Sequence, residues 1–366
     1  MAPNMPTALG YRMPAEWAQH TATWLAWPHN TVTWPDQLPQ VQDIFLRMIA
    51  ALHEQETVYL LVNDTATAGQ VRQQLHRYGI GLARVVLHEW PTADAWLRDS
   101  GPLFLTTVTG ASQPVAMSDW LFNAWGGKYV DLLADNDLPR HIAAWLDILR
   151  FEPGIVLEGG SIDVNGRGSC LTTAQCLLNP NRNPHLQCTD LECYLHDYLG
   201  VRHVIWLGQG IAGDDTDGHV DDIARFVNPT TVVCGLEEDP QDVNYDVLQD
   251  NYQRLQAATD QDGHALRVIP LPMPGHIGPA SARLPASYAN FYIANGVVLV
   301  PTYDHANDQK ALTILQQVFP DRHVLGLPCE PLVWGLGAIH CVTQQQPAPS
   351  PSPCKRPISM AQKGSS

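Results

Sequence analysis

Along most of the chain, hydrophobic positions switch between a continuous or two-residue period and a helical one, and the switches predict the elements. Trp24-Leu25-Ala26-Trp27 is an unbroken apolar run that Pro28 stops, the pattern of a buried strand. From 38 to 54 the period lengthens, with Val41, Ile44, Phe45, Met48 and Leu52 on one helical stripe. A β-branched strand is predicted at 57–62, a helix at 66–78 that Gly79 and Gly81 end, and a strand at 85–88. The alternation continues with strand-like runs at 103–108, 155–157, 201–205, 231–234, 266–269, 297–300 and 323–325. Helical runs are expected near 138–149, 189–199, 243–257 and 308–318. Strands and helices interleaved from end to end predict an α/β or α+β architecture. No glycine-rich phosphate loop follows any strand.

No composition break divides the body, so 1–347 is expected to be a single catalytic domain. From Pro347 onward proline, serine, lysine and glutamine dominate, and 348–366 is expected to be a disordered tail. Hydrophobic residues make up 45% of the 366 residues, ample for a core. The formal net charge of −16 argues against a nucleic-acid or anionic-membrane surface and suits a small cationic ligand. No apolar run is long enough to span a membrane, and no basic-then-apolar leader opens the chain. These features predict a cytoplasmic protein with reduced thiols. Among the eight cysteines, Cys170, Cys176, Cys188 and Cys193 are separated by 5, 11 and 4 residues, which is not a paired CxxC arrangement, so no metal site is expected.

One cysteine stands apart. Cys341 follows a loop in which Gly335 and Gly337 let the backbone approach a ligand and Ala338 keeps the space small. A short strand at 339–343 would mount it rigidly. Four other stretches carry more polar groups than core strands need: 94–102 with Trp96 and Asp99, 157–161 with Glu158, 214–222 with Asp214, Asp215, His219 and Asp221, and 287–296 with Asn290. On a strand His219 and Asp221 would face the same side. The steps between Asp99, Glu158, His219, Asn290 and Cys341 are 59, 61, 71 and 51 residues. That spacing suggests five similar modules, each sending a loop to a common centre. Each feature has a plainer explanation: a structural His–Asp pair, a solvated acidic turn, a bulge capped by Glu158, a core Trp96. Together they still leave a thiol, an imidazole and several carboxylates to account for.

A planar cation reconciles them. Asp99 and Asp221 can take the N–H groups of a guanidinium in bidentate fashion. Trp96 can stack on its face. The bound cation would lower the pKa of a nearby thiol, so that Cys341 attacks the central carbon while His219 moves protons and Glu158 holds its ring.

These stretches resemble the agmatine deiminases, part of the wider guanidino-modifying superfamily that includes the peptidyl-arginine deiminases. The likeness runs through GYRMPAEW (10–17), TWLAWPHN (23–30), DAWLRDSGP (94–102), NAWGGKY (123–129), LEGGSIDVNGRG (157–168), LLNPNRNP (177–184), DTDGHVDDIARF (215–226), SYANFYIANG (287–296) and IHCVTQQQP (339–347). The resemblance implies a five-bladed pseudo-symmetric α/β propeller. It implies cofactor-free hydrolysis of agmatine to N-carbamoylputrescine and ammonia, a step in making or degrading polyamines. It assigns Cys341 as the nucleophile of an amidino-cysteine intermediate, His219 as acid and base, and Asp99, Asp221, Glu158 and Trp96 to the guanidine site. Asp214 or Asp215 is expected at the far amine of agmatine, and Asn290 and Gly337 are expected to line the substrate. Leu336 and Ala338 depart from the glycine run and polar residue usual before Ile-His-Cys, and their bulk is expected to narrow the pocket. Free arginine, peptidyl arginine and a non-catalytic cation-binding propeller remain alternatives. A homo-oligomer is left open.

Overall fold

A computed structural model of the chain describes residues 5–107 and 112–349. Within them the strands are β1 (Tyr11–Arg12), β2 (His20–Ala26), β3 (Thr57–Val62), β4 (Val85–Glu89), β5 (Leu103–Thr107), β6 (Val115–Ser118), β7 (Leu149–Phe151), β8 (Ile162–Val164) and β9 (Ser169–Thr173). They continue as β10 (His203–Leu207), β11 (Ala224–Asn228), β12 (Thr231–Leu236), β13 (Arg267–Pro272), β14 (Tyr292–Ile293), β15 (Val297–Thr302), β16 (His323–Pro328) and β17 (Gln344–Pro347). These strands form five small sheets, so the fold is mixed α/β.

Each sheet repeats one motif. A short first strand pairs antiparallel with a second, and the second pairs parallel with a third: β5-β6-β7, β8-β9-β10, β11-β12-β13, β14-β15-β16 and β17-β2-β3. Parallel neighbours need a crossover, and a helix supplies it each time. These helices are Leu38–Leu52, Leu138–Leu146, Cys188–Leu199, Tyr245–Ala257 and Asp308–Val318. In the fifth motif β17, the last strand among the described residues, pairs with β2, near their beginning. β1 adds to the edge of β5, and β4 follows β3 through the helix Thr65–Arg77.

The predicted helix stripe is the one that packs. Leu38–Leu52 buries Val41, Ile44, Phe45, Met48 and Leu52 against the largest apolar cluster. Thr65–Arg77 opens on Asp64, whose carboxylate accepts from Thr67 N at 2.7 Å and so satisfies one free donor of the first turn. The run at 155–157 makes only an isolated bridge, Val156 to Leu121, rather than a strand. The strands β6, β8, β9 and β11, among others, are not predicted by the hydrophobic pattern. They are short, and most carry buried polar residues such as Asp163, Thr172 and Arg225, which break the apolar pattern. The strand expected at 339–343 is instead a turn that ends just before β17. His219 and Asp221 also lie off any strand: His219 caps the 3-10 turn Val220–Asp222. Val108 and the expected tail from 350 on, with Cys354, lie outside the described residues.

Candidate active site

The five polar positions share one topological place. Asp99, Glu158, His219, Asn290 and Cys341 each lie two to five residues before the first strand of a motif: β5, β8, β11, β14 and β17 respectively. A side chain just ahead of a strand is carried by a turn yet held by a ladder, which gives precise placement.

Gly160 is the point on which three of the groups converge. A Cβ built there would sit 2.5 Å from His219 Nδ1, 2.9 Å from Asp99 Oδ1 and 3.1 Å from Asp221 Oδ2. Only glycine fits, and its N–H donates to Asp99 Oδ1 at 2.9 Å. The other oxygen, Oδ2, accepts from the indole of Trp125 at 2.9 Å. His219 Nδ1 is 3.7 Å from Asp99. Trp125 and its neighbour Ala124 both have left-handed backbone (φ 52° and 55°), a conformation costing on the order of 1–3 kcal/mol per non-glycine residue. Strain of that size at a side chain that grips a site carboxylate is the pattern of a functional segment.

On the other side stands the thiol. Cys341 Sγ accepts from Asn290 Nδ2 at 3.2 Å and lies 3.8 Å from Asp221 Oδ2. Asn290 also donates to Asp222 at 3.0 Å and accepts from the His340 N–H at 2.9 Å, so its amide orientation is fixed. A Cβ on Gly337 would lie 2.6 Å from the Trp96 ring and 3.2 Å from the Cys341 sulfur. Trp96 is held by its indole N–H to Asp94 at 3.2 Å and by the neighbouring ring of Trp34, centroids 5.3 Å apart.

A cavity of about 230 Å³ opens above these groups. Trp96, Trp125, Asp99 and Cys341 line its floor and walls, and Asp215, Asp131, Trp334 and Leu336 also line it. Asp215 accepts from Tyr129 Oη at 2.5 Å. Asp214 is not available to a ligand. Its carboxylate accepts from the backbone of Thr216, Gly218 and His219 and from the Thr216 hydroxyl. It holds the 214–219 loop in shape. Of the two bulky residues before Ile339, only Leu336 lines the cavity; Ala338 is buried away from it.

Several further residues join the site that were not singled out individually, although all lie in the stretches 10–17, 94–102, 157–168, 177–184, 215–226 and 339–347. His340 is clamped between Asp221 Oδ2 at 2.7 Å and Glu16 Oε2 at 2.8 Å. Glu16 faces the Arg225 guanidinium at 2.9 Å, and Arg225 donates to Asp163 at 2.5 Å. Arg98 bonds Gln344 and Gln345 of β17 and the His340 carbonyl. Glu158 is not hydrogen-bonded to His219. Its Oε1 accepts from Arg182 at 2.6 Å, and Arg182 donates on to Asp217 at 2.6 Å. Glu158 therefore acts on the imidazole as a nearby charge, across less than 4.8 Å, while being tied to the 214–218 loop.

Burial and charge set the protonation. Burial pushes Cys341 well up, and Asp221, Asp222 and Asp99 add to this, so the thiol is protonated when the site holds no cation. Burial alone would lower His219, but Asp99, Cys176 and Glu158 outweigh it and raise the imidazole well above its ordinary 6.5. Burial raises Asp99 and, strongly, Asp222. For Asp221 burial is outweighed by His340, His219 and Arg225, and its pKa falls. The site thus presents acceptors and a proton donor around a neutral thiol. A positive charge placed beside the sulfur would favour its thiolate.

Comparison with known proteins agrees with this geometry. Residues 12–347 match the family model of Porphyromonas-type peptidyl-arginine deiminase. The chain is 39% identical to the agmatine deiminase of Stutzerimonas stutzeri over 94% of this chain and 98% of that one. It is also 39% identical to the agmatine deiminase of Medicago truncatula, with the same coverage. The structure of the agmatine deiminase of Enterococcus faecalis superposes with a TM-score of 0.87 at 34% identity, covering 96% of this chain and 99% of that chain. The chain belongs to the Porphyromonas-type peptidyl-arginine deiminase family.

Proposed function

We propose that the protein hydrolyses the guanidine of agmatine, releasing ammonia and N-carbamoylputrescine, through an amidino-cysteine on Cys341. The observation that carries this reading is the grouping of Asp99, Asp221, His219 and a protonated Cys341, of which Asp99 and Cys341 line one cavity. Removing two carboxylates from water costs several kcal/mol per ion, a penalty that a bound guanidinium offsets. Asp99 and Asp221 take its N–H groups, and Trp96 covers its flat face.

The cation's charge then favours the thiolate. Cys341 passes its proton to the surroundings and attacks the central carbon, forming an S–C bond. The tetrahedral adduct expels one nitrogen as ammonia, with His219 donating the proton. A water enters, His219 takes a proton from it, and the second adduct breaks the C–S bond. N-carbamoylputrescine leaves and the thiol is restored. Asn290 holds the sulfur in line, and Gly337 leaves room for it and for the substrate stem. Glu158 raises the basicity of His219.

Two features favour agmatine over arginine or a peptidyl arginine. No lysine or arginine lines the cavity among the described residues, and Lys128, beside Asp215, is already paired with Asp215 at 3.6 Å and Asp217 at 2.9 Å. Asp215 lies on the same wall, where a distant ammonium would find an acceptor. Agmatine deiminase is also the name carried by relatives that match the chain end to end.

The five repeated motifs, each placing one site residue ahead of its first strand, support a five-bladed α/β propeller with the site at its axis. Residues 1–347 then form a single catalytic domain. No described helix is long and apolar enough to cross a membrane, consistent with a cytoplasmic reading. Ammonia release from agmatine, arginine and a C-terminal-arginine peptide tests the proposal. Agmatine should be turned over fastest, and Cys341→Ala should abolish turnover; equal rates in that variant would end the mechanism.

A further inference from the structure

Beneath the cavity the fold assembles a group of donors that the reaction does not use as a set. Glu158, Cys176 and His219 come from three separate segments, all are buried, and their donor atoms lie within 4.8 Å of one another. Cys176 is fixed in the short turn Ala174–Leu177 by its N–H to the Thr173 hydroxyl at 3.1 Å. Its thiol is not among the groups assigned above to the deimination, and it acts on His219 only as one of the neighbours that raise the imidazole. Among the described residues, no hydrogen bond closes on Glu158 Oε2 or on either ring nitrogen of His219. Each unmet buried polar atom costs about 1–3 kcal/mol. Three of them beside a thiol form a set that can donate electron pairs to a metal once the imidazole and thiol give up their protons.

The linear spacing of the cysteines hid this. Cys170 donates to the Leu171 carbonyl and Cys188 to Glu192, so the run of thiols is dispersed by the fold. What replaces it is one thiol paired with an imidazole and a carboxylate from elsewhere in the chain.

We propose that Glu158, Cys176 and His219 bind a thiophilic divalent cation of the Zn2+ class, and that its binding turns the enzyme off. Sulfur, nitrogen and oxygen donors select zinc or cobalt, whereas Mg2+ and Ca2+ require shells of oxygen. Zinc bonds of roughly 2.0–2.3 Å place tetrahedral ligands about 3–4 Å apart, within the 4.8 Å that encloses these donor atoms. Arg182 keeps Glu158 Oε1, leaving Oε2 to ligate. On binding, the Cys176 thiol loses its proton to solvent and His219 binds through a neutral nitrogen, its proton also leaving. The dication then meets one thiolate and one carboxylate, with Arg182 still on that carboxylate and Asp99 3.7 Å from His219 Nδ1. Water or another small ligand completes the shell. With its lone pair engaged, His219 can no longer move protons for the substrate. The inhibition rests on the deiminase reading; the binding does not.

Cobalt titration into full-chain Cys341→Ser protein separates this site from the nucleophile. A thiolate-to-cobalt charge-transfer band should grow to one equivalent, be erased by Zn2+, and vanish when Cys176→Ser is added. His219→Asn, which keeps the thiol, should weaken cobalt binding at least tenfold and serves if the cysteine variant fails to fold. In the otherwise natural enzyme Zn2+ should inhibit turnover reversibly. The ratio of zinc-free to zinc-inhibited rate should drop at least tenfold in Cys176→Ser. No band in Cys341→Ser, a band that survives Cys176→Ser, cobalt affinity unchanged in His219→Asn, or equal zinc sensitivity would overturn the site.

Discussion

Gly160 carries no side chain, and the site depends on that. A methyl there would lie 2.5 Å from the imidazole and 2.9 Å from Asp99, inside any real contact distance. Gly160→Ala should therefore cut kcat by at least about a hundredfold, the scale of a misplaced catalytic group, and lower the thermal melt through overpacking; a fully active variant would refute the convergence. Cys341 gives a second residue-scale prediction. Because burial and three carboxylates hold its thiol protonated, neutral iodoacetamide should label it slowly and a cationic haloacetamidine quickly. Peptide mapping measures both, and equal rates would contradict the electrostatics. The candidate nucleophile, acid and carboxylates were legible because each sits in a polar island between apolar runs. His340, Glu16 and Arg182 were not, because their roles exist only as contacts across more than 20 residues of sequence. A histidine beside a cysteine reads as part of the cysteine's own motif; the structure turns its ring the other way, toward Asp221 and Glu16.

At the scale of elements, the short first strands explain both what was missed and how the site is held. β8 and β11 place Asp163 and Arg225 in a buried ion pair, which spoils the hydrophobic alternation but pins two motifs together. The turn Leu97–Ser100 is pinned to β17 in the same way, through Arg98 and the side chains of Gln344 and Gln345. Arg98→Ala removes these bonds and frees the turn that carries Asp99, while Glu16 keeps Arg225 and His340. Removing one partner of a buried pair costs roughly 3–5 kcal/mol, so a shift of that size is expected in denaturant unfolding. A loss below about 1 kcal/mol, the range of exposed pairs, would mean the network is not structural. The helices, by contrast, were legible to within a residue or two where a single apolar stripe faces the core, as in Leu38–Leu52. The strand expected under Cys341 was not found, because the apolar residues Ile339 and Val342 pack from a turn into the core instead.

At the scale of the whole molecule, the near-even spacing of five polar positions did carry architectural information. It is the length of one motif, strand to helix to strand, repeated. What it does not carry is pH behaviour, which comes from charges gathered by the fold. Glu16 and Asp221 lie below their ordinary 4.5 and 3.8, in each case because nearby positive charge overcomes burial: Arg225, His340 and Arg98 for Glu16, His340 and His219 for Asp221. A lowered carboxylate contributes stability above its unfolded value and loses it as pH falls through the folded one. Asp99, Asp163 and Asp222 are raised by burial and act in the opposite sense, stabilising when protonated and losing that contribution as pH rises. Glu16→Gln should thus lower stability at neutral pH and flatten the loss on acidification. Parallel curves for variant and natural protein would show that Glu16 does not carry this dependence.

The central claim is a sulfur–carbon bond at position 341, and it is tested most directly by acid-quenching the enzyme during agmatine turnover and mapping its cysteines by mass spectrometry. The account predicts an amidino adduct derived from agmatine on the Cys341 peptide and on none of the other seven cysteines. Steady turnover with Cys341 unmodified at every quench time, or an adduct on a different cysteine, would contradict it.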